Sequence, residues 1–446
     1  VRPGHLFILS YVGVILIGAA LLATPVSWAK GARVNPVDAL FTATSAACVT
    51  GLVVKDTGHD FSLFGQIVIL LLIQVGGLGL MTFSTFLVYL MGRKVALRER
   101  VLVRDSFGDL LGDDPKTLAT NVLRMAFAVE LIGALLLYLR FSGQLRPPQA
   151  AFAAIFHSVA AFCNAGFSLF TPNLIEYRTD ALVNYVIVGL IIIGGLGFLV
   201  LSDILRHVRR RRNATARPLT LHTKMVVTVT AGLILSGALA CFILEWNGTL
   251  AGCSAGTRIM ASIFLSVTSR TAGFNTLDTG ALSTGTLFVV MILMFIGAAP
   301  GSTGGGIKTS TFGTLVAMVR ARLKRQDAVN IFRRTLPREV EDRALAVSVL
   351  SLVLVLFFML LLLVTERESA GAQKNTLCSV AFETISAFGT VGLSTGLTPT
   401  LSTAGRLLLS TLMFIGRVGP LTVVLALAGQ EKRPQYEHPR EAIMIG

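Results

Sequence analysis

The sequence predicts an all-α membrane protein: eight transmembrane helices in four pseudo-repeated units, each a helix, a short re-entrant helix, a glycine loop and a second helix. Three observations lead there. Of 446 residues, 53% are hydrophobic and only 14% charged, with mean hydropathy +0.73, against roughly 25% charged in an ordinary soluble domain. Eight apolar runs punctuate the chain, and one small-residue motif recurs four times. A soluble chain of this length cannot enclose so much apolar surface, so a bilayer must serve as part of its solvent.

In order, the runs are Leu6–Val26, Leu63–Leu90, Leu118–Leu139, Leu182–Leu201, Met225–Leu244, Leu287–Ala299, Ala344–Val364 and Leu407–Ala428. Most reach the ~20 residues that a spanning helix needs. The sixth is short, because Pro300 interrupts it. The first has no small-residue cleavage motif and reads as a retained span rather than a signal peptide.

Net charge is +15, but position argues against nucleic acid as its partner. Segments 92–117, 206–222 and 320–343 hold 20 Lys/Arg in 67 residues, whereas the four intervening connections hold 10 in 150. That asymmetry is the positive-inside pattern, which puts the basic loops and both termini in the cytoplasm. The Arg206–Arg217 cluster reads as a topology signal touching lipid headgroups, or as a partner-docking site. The five cysteines have no paired spacing and the six histidines no metal spacing, so neither a disulfide framework nor a zinc site is expected.

The repeat divides the chain at 1–105, 106–216, 217–335 and 336–446. Each outward connection carries a short small-residue helix ending in a polar glycine motif: Ala39 to Gly51, Phe156 to Gly166, Phe264 to Gly273 and Phe382 to Gly392. A second glycine mark follows at Gly76, Gly194, Gly297 and Gly416, spaced by 25, 28, 24 and 24 residues. Irregular backbone at membrane depth is tolerated only when buried in protein or lining a water-filled cavity. Four such loops around one axis satisfy that demand, and their carbonyls can replace a cation's water shell. Glycine supplies the backbone conformations, and each short helix aims its negative C-terminus at the cavity. The downstream pairs Gly76/Gly77 and Gly194/Gly195 read more simply as close helix packing.

Thr390-Val-Gly392 resembles the start of the K⁺-channel filter signature, and the fourfold repeat resembles the Trk/Ktr/HKT superfamily of K⁺ transporters. Asn164-Ala-Gly-Phe167, Arg270-Thr-Ala-Gly-Phe-Asn275, Ser386 to Leu393 and Met413 to Leu421 carry the resemblance, which spans essentially the whole chain. Eight spans look most like the KtrB type. The resemblance implies a bacterial inner-membrane homodimer with one pore per subunit, docked on a cytosolic ring of nucleotide-binding regulatory subunits. It implies K⁺ as the transported ion, with Na⁺ as a second candidate, and no covalent cofactor or enzyme activity. The implied filter comprises Cys48, Val49, Thr50 and Gly51; Cys163, Asn164, Ala165 and Gly166; Arg270, Thr271, Ala272 and Gly273; and Gly389, Thr390, Val391 and Gly392, with K⁺ held at the four loop glycines. All four loops end in glycine, which favours K⁺ over Na⁺. Cys48 and Cys163 depart from the Thr and Asn expected there and bring thiol-reagent sensitivity into play.

Pro300-Gly301-Ser302-Thr303-Gly304-Gly305-Gly306-Ile307-Lys308-Thr309 superficially resembles a phosphate-binding loop. However, Ile307 stands where the pattern needs lysine and no strand precedes it, so nucleotide binding here is rejected. The resemblance makes this the intramembrane gate, with Lys308 placing positive charge near the ion path. Arg417 lies in mid-span, where an arginine costs ~2.5–3.5 kcal/mol; it is read either as an electrostatic barrier below the filter or as an ion pair with Glu383 or Glu130. Arg270 and His157 read as loop-bracing residues, Glu383 as structural, and Asp203 as neutralising nearby arginines. No HExxH, Ser/His/Asp set or paired intramembrane carboxylates support an enzyme. Na⁺-coupled K⁺ symport and a secondary transporter with alternating access remain the other transport readings, although alternating-access folds usually show two inverted halves.

Overall fold

The computed structural model describes residues 3–94, 115–211, 218–366 and 376–420. The expected repeat boundaries at 105/106 and 216/217, much of the two basic segments there, and the end of the last apolar run lie outside the described residues. The helices follow in order: α1 (Pro3–Leu22), α2 (Pro36–Ala47), α3 (Leu63–Lys94), α4 (Pro115–Phe141), α5 (Pro147–Phe162) and α6 (Ala181–Arg211). Then come α7 (Leu221–Leu244), α8 (Ala255–Thr268), α9 (Thr284–Phe295), α10 (Thr309–Leu323), α11 (Arg338–Thr365), α12 (Thr376–Gly389) and α13 (Thr403–Val418). Among the described residues, antiparallel β1 (Asn330–Ile331) and β2 (Arg334–Thr335) form a short hairpin between α10 and α11.

Local chemistry sets the helix starts. Pro36 and Pro147 open α2 and α5 at the first turn, where a missing N–H costs nothing. Ser254, Ser283 and Ser402 cap α8, α9 and α13, each accepting a backbone N–H with its hydroxyl, an arrangement worth about 1 kcal/mol.

The packing is inverted relative to a soluble protein. Buried α2 carries Thr42, Thr44 and Ser45, and buried α5 carries His157 and Ser158. By contrast, Leu235, Ile243, Phe357 and Leu360 on α7 and α11 are half or more exposed. Among the described residues four helices are long and apolar enough to cross a bilayer: Thr120–Phe141, Ala181–Val208, Leu221–Leu244 and Arg338–Thr365. α1 packs one face against α3: Gly18 lies against Leu72, and the Tyr11 hydroxyl donates to Gly76 O at 2.6 Å, while Leu9, Leu16 and Ile17 on its other face are exposed.

The sixth apolar run stops being helical earlier than Pro300 alone predicts. α9 ends at Phe295 because Ile307, returning along the re-entrant segment, competes for its backbone: Gly297 N donates to Ile307 O at 2.8 Å, and Ile307 N to Phe295 O at 3.4 Å. The chain also kinks within α6 at Gly197 (φ +79°), where a Cβ would lie 2.8 Å from Gly301 O.

Candidate functional site

Each short helix runs into a loop with one repeated backbone pattern. The residue two before the loop glycine has positive φ: Val49 (55°), Asn164 (60°), Thr271 (78°) and Thr390 (48°). The glycine is positive as well, at 92°, 69°, 78° and 93° for Gly51, Gly166, Gly273 and Gly392. Non-glycine residues adopt this region only where their surroundings hold them. Here the intervening amide is turned back on its own helix: Thr50 N to Ser45 O (2.7 Å), Ala165 N to Ala160 O (2.7 Å), Ala272 N to Thr268 O (2.9 Å) and Val391 N to Ser386 O (2.9 Å). In the first and fourth loops a serine adds a bond, Gly51 N to Ser45 Oγ and Gly392 N to Ser386 Oγ, both 3.1 Å. Sequence gives neither serine this role, although both lie six residues before the loop glycine.

The four loops close on one another. A Cβ on Gly51 would lie 2.3 Å from Ala165 O, on Gly166 2.8 Å from Ala272 O, on Gly273 2.3 Å from Val391 O, and on Gly392 2.2 Å from Thr50 O. Each glycine therefore sits on the carbonyl that precedes the next glycine, and the fourth returns to the first. This ring forms the floor of a cavity of about 340 Å³, whose walls include Asp56, Asp278, Asn173 and Thr395. The family model described as "TrkH: Cation transport protein" matches residues 14–437. The chain belongs to the TrkH cation transport protein family. It is 42% identical over 432 residues to Ktr system potassium uptake protein B of Bacillus subtilis (strain 168), covering 96% of this chain and 94% of that one. It is 36% identical over 449 residues to potassium/sodium uptake protein NtpJ of Enterococcus hirae, covering 100% and 97%. The crystal structure of the potassium transporter TrkH from Vibrio parahaemolyticus superposes with TM-score 0.74 at 19% identity, covering 94% of this chain and 83% of that one. This TrkH-family chain is thus a multi-pass membrane transport protein and not an enzyme.

Directly beneath the ring lies the re-entrant segment 296–309. A Cβ on Gly304 would meet Thr271 Oγ1 at 2.2 Å, and one on Gly305 would meet Thr390 Oγ1 at 2.3 Å. Thr303 reaches furthest out of it: its amide donates to Gly194 O (3.4 Å), its hydroxyl to Phe162 O (3.3 Å), and its carbonyl accepts from Arg417 Nη1. Thr303 therefore links α6, the end of α5 and α13. Lys308 folds back, donating from Nζ to Gly304 O at 2.6 Å, so its ammonium clasps the segment itself. Gly301 and Gly306 have positive φ (73° and 66°), and Ser302 is buried with its hydroxyl on Ala299 O at 2.6 Å.

Of the two readings of Arg417, the ion pair with Glu383 or Glu130 is ruled out. Its Nη1 and Nη2 donate to backbone carbonyls, Nη2 to Gly76 O at 2.7 Å, and neither carboxylate is its partner. Glu130 accepts instead from Gln74 Nε2 (3.1 and 3.0 Å), and Glu383 from Ser394, Thr395 and Thr398. Arg270 braces as expected, although on the re-entrant segment, donating from Nη2 to Gly297 O at 3.3 Å. Asp203 accepts from the amide and hydroxyl of Thr220, the cap of α7. Cys48 and Cys163 are fully buried, Cys163 wedged against Gly77, so the expected access for thiol reagents is closed. The Asn164 amide is best placed donating to Ile191 O and Ala161 O and accepting from Thr271 Oγ1.

Proposed function

We propose that this chain is a K⁺ uptake protein conducting passively through one pore on the axis of the four-loop ring. The closed cycle of glycine-on-carbonyl contacts carries the reading, because it puts one loop from each repeat at equal standing around a common axis. Gly51, Gly166, Gly273, Gly392 and the residues before them act as the selectivity filter, their carbonyls replacing water around the ion. Asp56 and Asp278 in the outer cavity favour cations above it. The segment 300–309 acts as the gate, held shut by Arg417 and stiffened by Lys308. Eight spans in four repeats, at 1–105, 106–216, 217–335 and 336–446, form the body, with both termini in the cytoplasm of a bacterial inner membrane. A negative-inside potential supplies about 2.3 kcal/mol per charge per 100 mV, enough to drive inward flow.

Two further parts of the reading are a homodimer and a cytosolic nucleotide-binding ring on the basic face; the relatives' names as Ktr system proteins support a Ktr system context for the chain. The 36% identity to a potassium/sodium uptake protein supports a second reading in which Na⁺ also permeates. The test is ⁸⁶Rb⁺ and ²²Na⁺ uptake into liposomes holding the purified protein under an imposed diffusion potential, beside Gly51→Ser. Potential-driven Rb⁺ uptake well above Na⁺, with the ratio reduced in the variant, is expected. Equal uptake of both ions would favour the second reading. No flux of either ion even with 300–309 shortened would remove the pore.

A further inference from the structure

Loops 2 and 4 are anchored differently from loops 1 and 3. His157 and Glu383 each lie nine residues before their loop glycine, Gly166 and Gly392, on the inner turns of α5 and α12. Both are buried, and both reach past the glycine to the chain that leads out of the loop. His157 Nδ1 faces Ala153 O at 2.8 Å, an acceptor, so Nδ1 carries the proton and Nε2 is an acceptor. Nε2 then takes the Ser168 hydroxyl at 2.9 Å and Leu169 N–H at 3.4 Å. The ring is locked in place by Phe170, stacked at 4.6 Å, with Phe141 and Phe156 edge-on. Glu383 takes Ser394 Oγ (2.7 Å), Thr395 N (2.9 Å) and Thr398 Oγ1 (2.6 Å). The residues engaged stand at the same offsets: Ser168 and Ser394 two after the glycine, Leu169 and Thr395 three after.

The equivalent positions in the other two repeats do none of this. Phe264 has no polar atom, and the Thr42 hydroxyl is buried without a hydrogen-bond partner. In ring order 1-2-3-4, loops 2 and 4 face each other across the axis.

We propose that His157 and Glu383 are positioning residues, a diagonal pair of struts that fix the outer end of the ion path and thereby set its selectivity among monovalent cations. Ser168 and Ser394, the residues they hold, both line the outer cavity beside the glycines. Loop 2 extends the hold sideways: Thr171 Oγ1 donates to Asp56 Oδ2 (2.6 Å), and Asn173 Oδ1 accepts from Asn275 N (3.4 Å), so bracing loop 2 also sets loops 1 and 3. Hydrogen-bond acceptors are required at both struts, one at His157 Nε2 and two carboxyl oxygens at Glu383, since the groups they face there donate to them.

This inference rests on the four-loop ring being the conduction path. The test is the Rb⁺/Na⁺ uptake ratio in liposomes for wild type, Glu383→Gln, His157→Phe, His157→Gln and Ser168→Ala. Glu383→Gln keeps the shape but sets an amide N–H₂ against donors, and Ser168→Ala removes one hydroxyl without emptying the core. The strut reading expects the ratio to fall about five- to tenfold in Glu383→Gln and His157→Phe, the weight of one or two lost hydrogen bonds, and less in Ser168→Ala. His157→Gln, which restores an acceptor, recovers most of it. Should His157→Phe fail to assemble, Glu383→Gln and Ser168→Ala decide the matter alone. Selective wild-type uptake with an unchanged ratio in those two variants overturns the struts and leaves the pore standing. No Rb⁺ uptake in wild type or in the shortened-gate variant overturns the pore itself, and the struts with it.

Discussion

The third repeat and the other three solve one packing problem in opposite ways. In repeats one, two and four the downstream glycine lies on the last turn of its own short helix: a Cβ on Gly76, Gly194 or Gly416 would fall 1.9, 1.9 or 2.0 Å from Ala47 O, Phe162 O or Phe388 O. In the third repeat Gly297 keeps the position but not the partner, and a Cβ there would meet Gly305 O at 2.0 Å. The helix has stopped two residues earlier, and its own re-entrant segment occupies the slot. Three repeats are thus wedged by rigid helix against rigid helix, and one by helix end against loop. The position where motion costs least is the one where the partner is a loop tethered by a few hydrogen bonds rather than a helix.

That contrast is open to direct attack. The largest effect is expected from Gly416→Ala and Gly194→Ala, which push a methyl into helix backbone and cost about 1–3 kcal/mol or more through overpacking. Their yield of monodisperse protein on size-exclusion chromatography should collapse, while Gly297→Ala assembles and shows altered Rb⁺ flux. Equal yields for all three would erase the distinction. Next is Arg417→Gln, which removes charged bonds worth about 1.5–3 kcal/mol each from Thr303 O and Gly76 O. The resting Rb⁺ flux should rise about tenfold or more, with less change if Arg270→Gln is tested instead, because Arg270 makes one longer contact. Unchanged flux in Arg417→Gln would show that the tether is not what holds the segment.

The smallest effect concerns the outer ends. Glu245, just past α7, accepts from Ser283 N (2.8 Å) and from Thr249 N and Oγ1 (3.0 Å each). Burial alone would raise its pKa, but these bonds and one from Thr286 outweigh that and bring it down to about 2. Its folded-state value is therefore below the ordinary 4.5, so the stabilisation it gives is complete above that pH and is lost as pH falls towards 2. Thermal unfolding in detergent should show a modest acid-side loss of stability, reduced in Glu245→Gln. An identical acid limb in the variant would exclude Glu245 as its source.

Much of the site was legible because it repeats along the chain. Gly51, Gly166, Gly273 and Gly392 stand out as motifs, and Pro300 with five nearby glycines betrays the broken helix. What stayed hidden depends on through-space neighbours. Nothing in the spacing says that Thr303 ties three elements together, or that Arg417 would seek two carbonyls rather than a carboxylate. Thr271 and Thr390 were identified as loop residues, but not as the ceiling over Gly304 and Gly305. His157 and Glu383 become a pair only when counted back from the glycines, and their partners lie on the far side of a loop whose course sequence does not give. The early end of α9 escaped for a similar reason, since the competing strand partner Ile307 lies beyond the break.

In the proposed pore, the cycle of glycine contacts makes the width of the central opening a collective quantity. Four missing side chains fix a closed perimeter in which every arc bears on the next, as staves bear on one another in a hoop. Enlarging one arc displaces its neighbour, and the displacement travels round until it returns to its origin. The perimeter therefore cannot be retuned a quarter at a time: a change in any one loop is shared among four, and an ion crossing the proposed pore would meet the average.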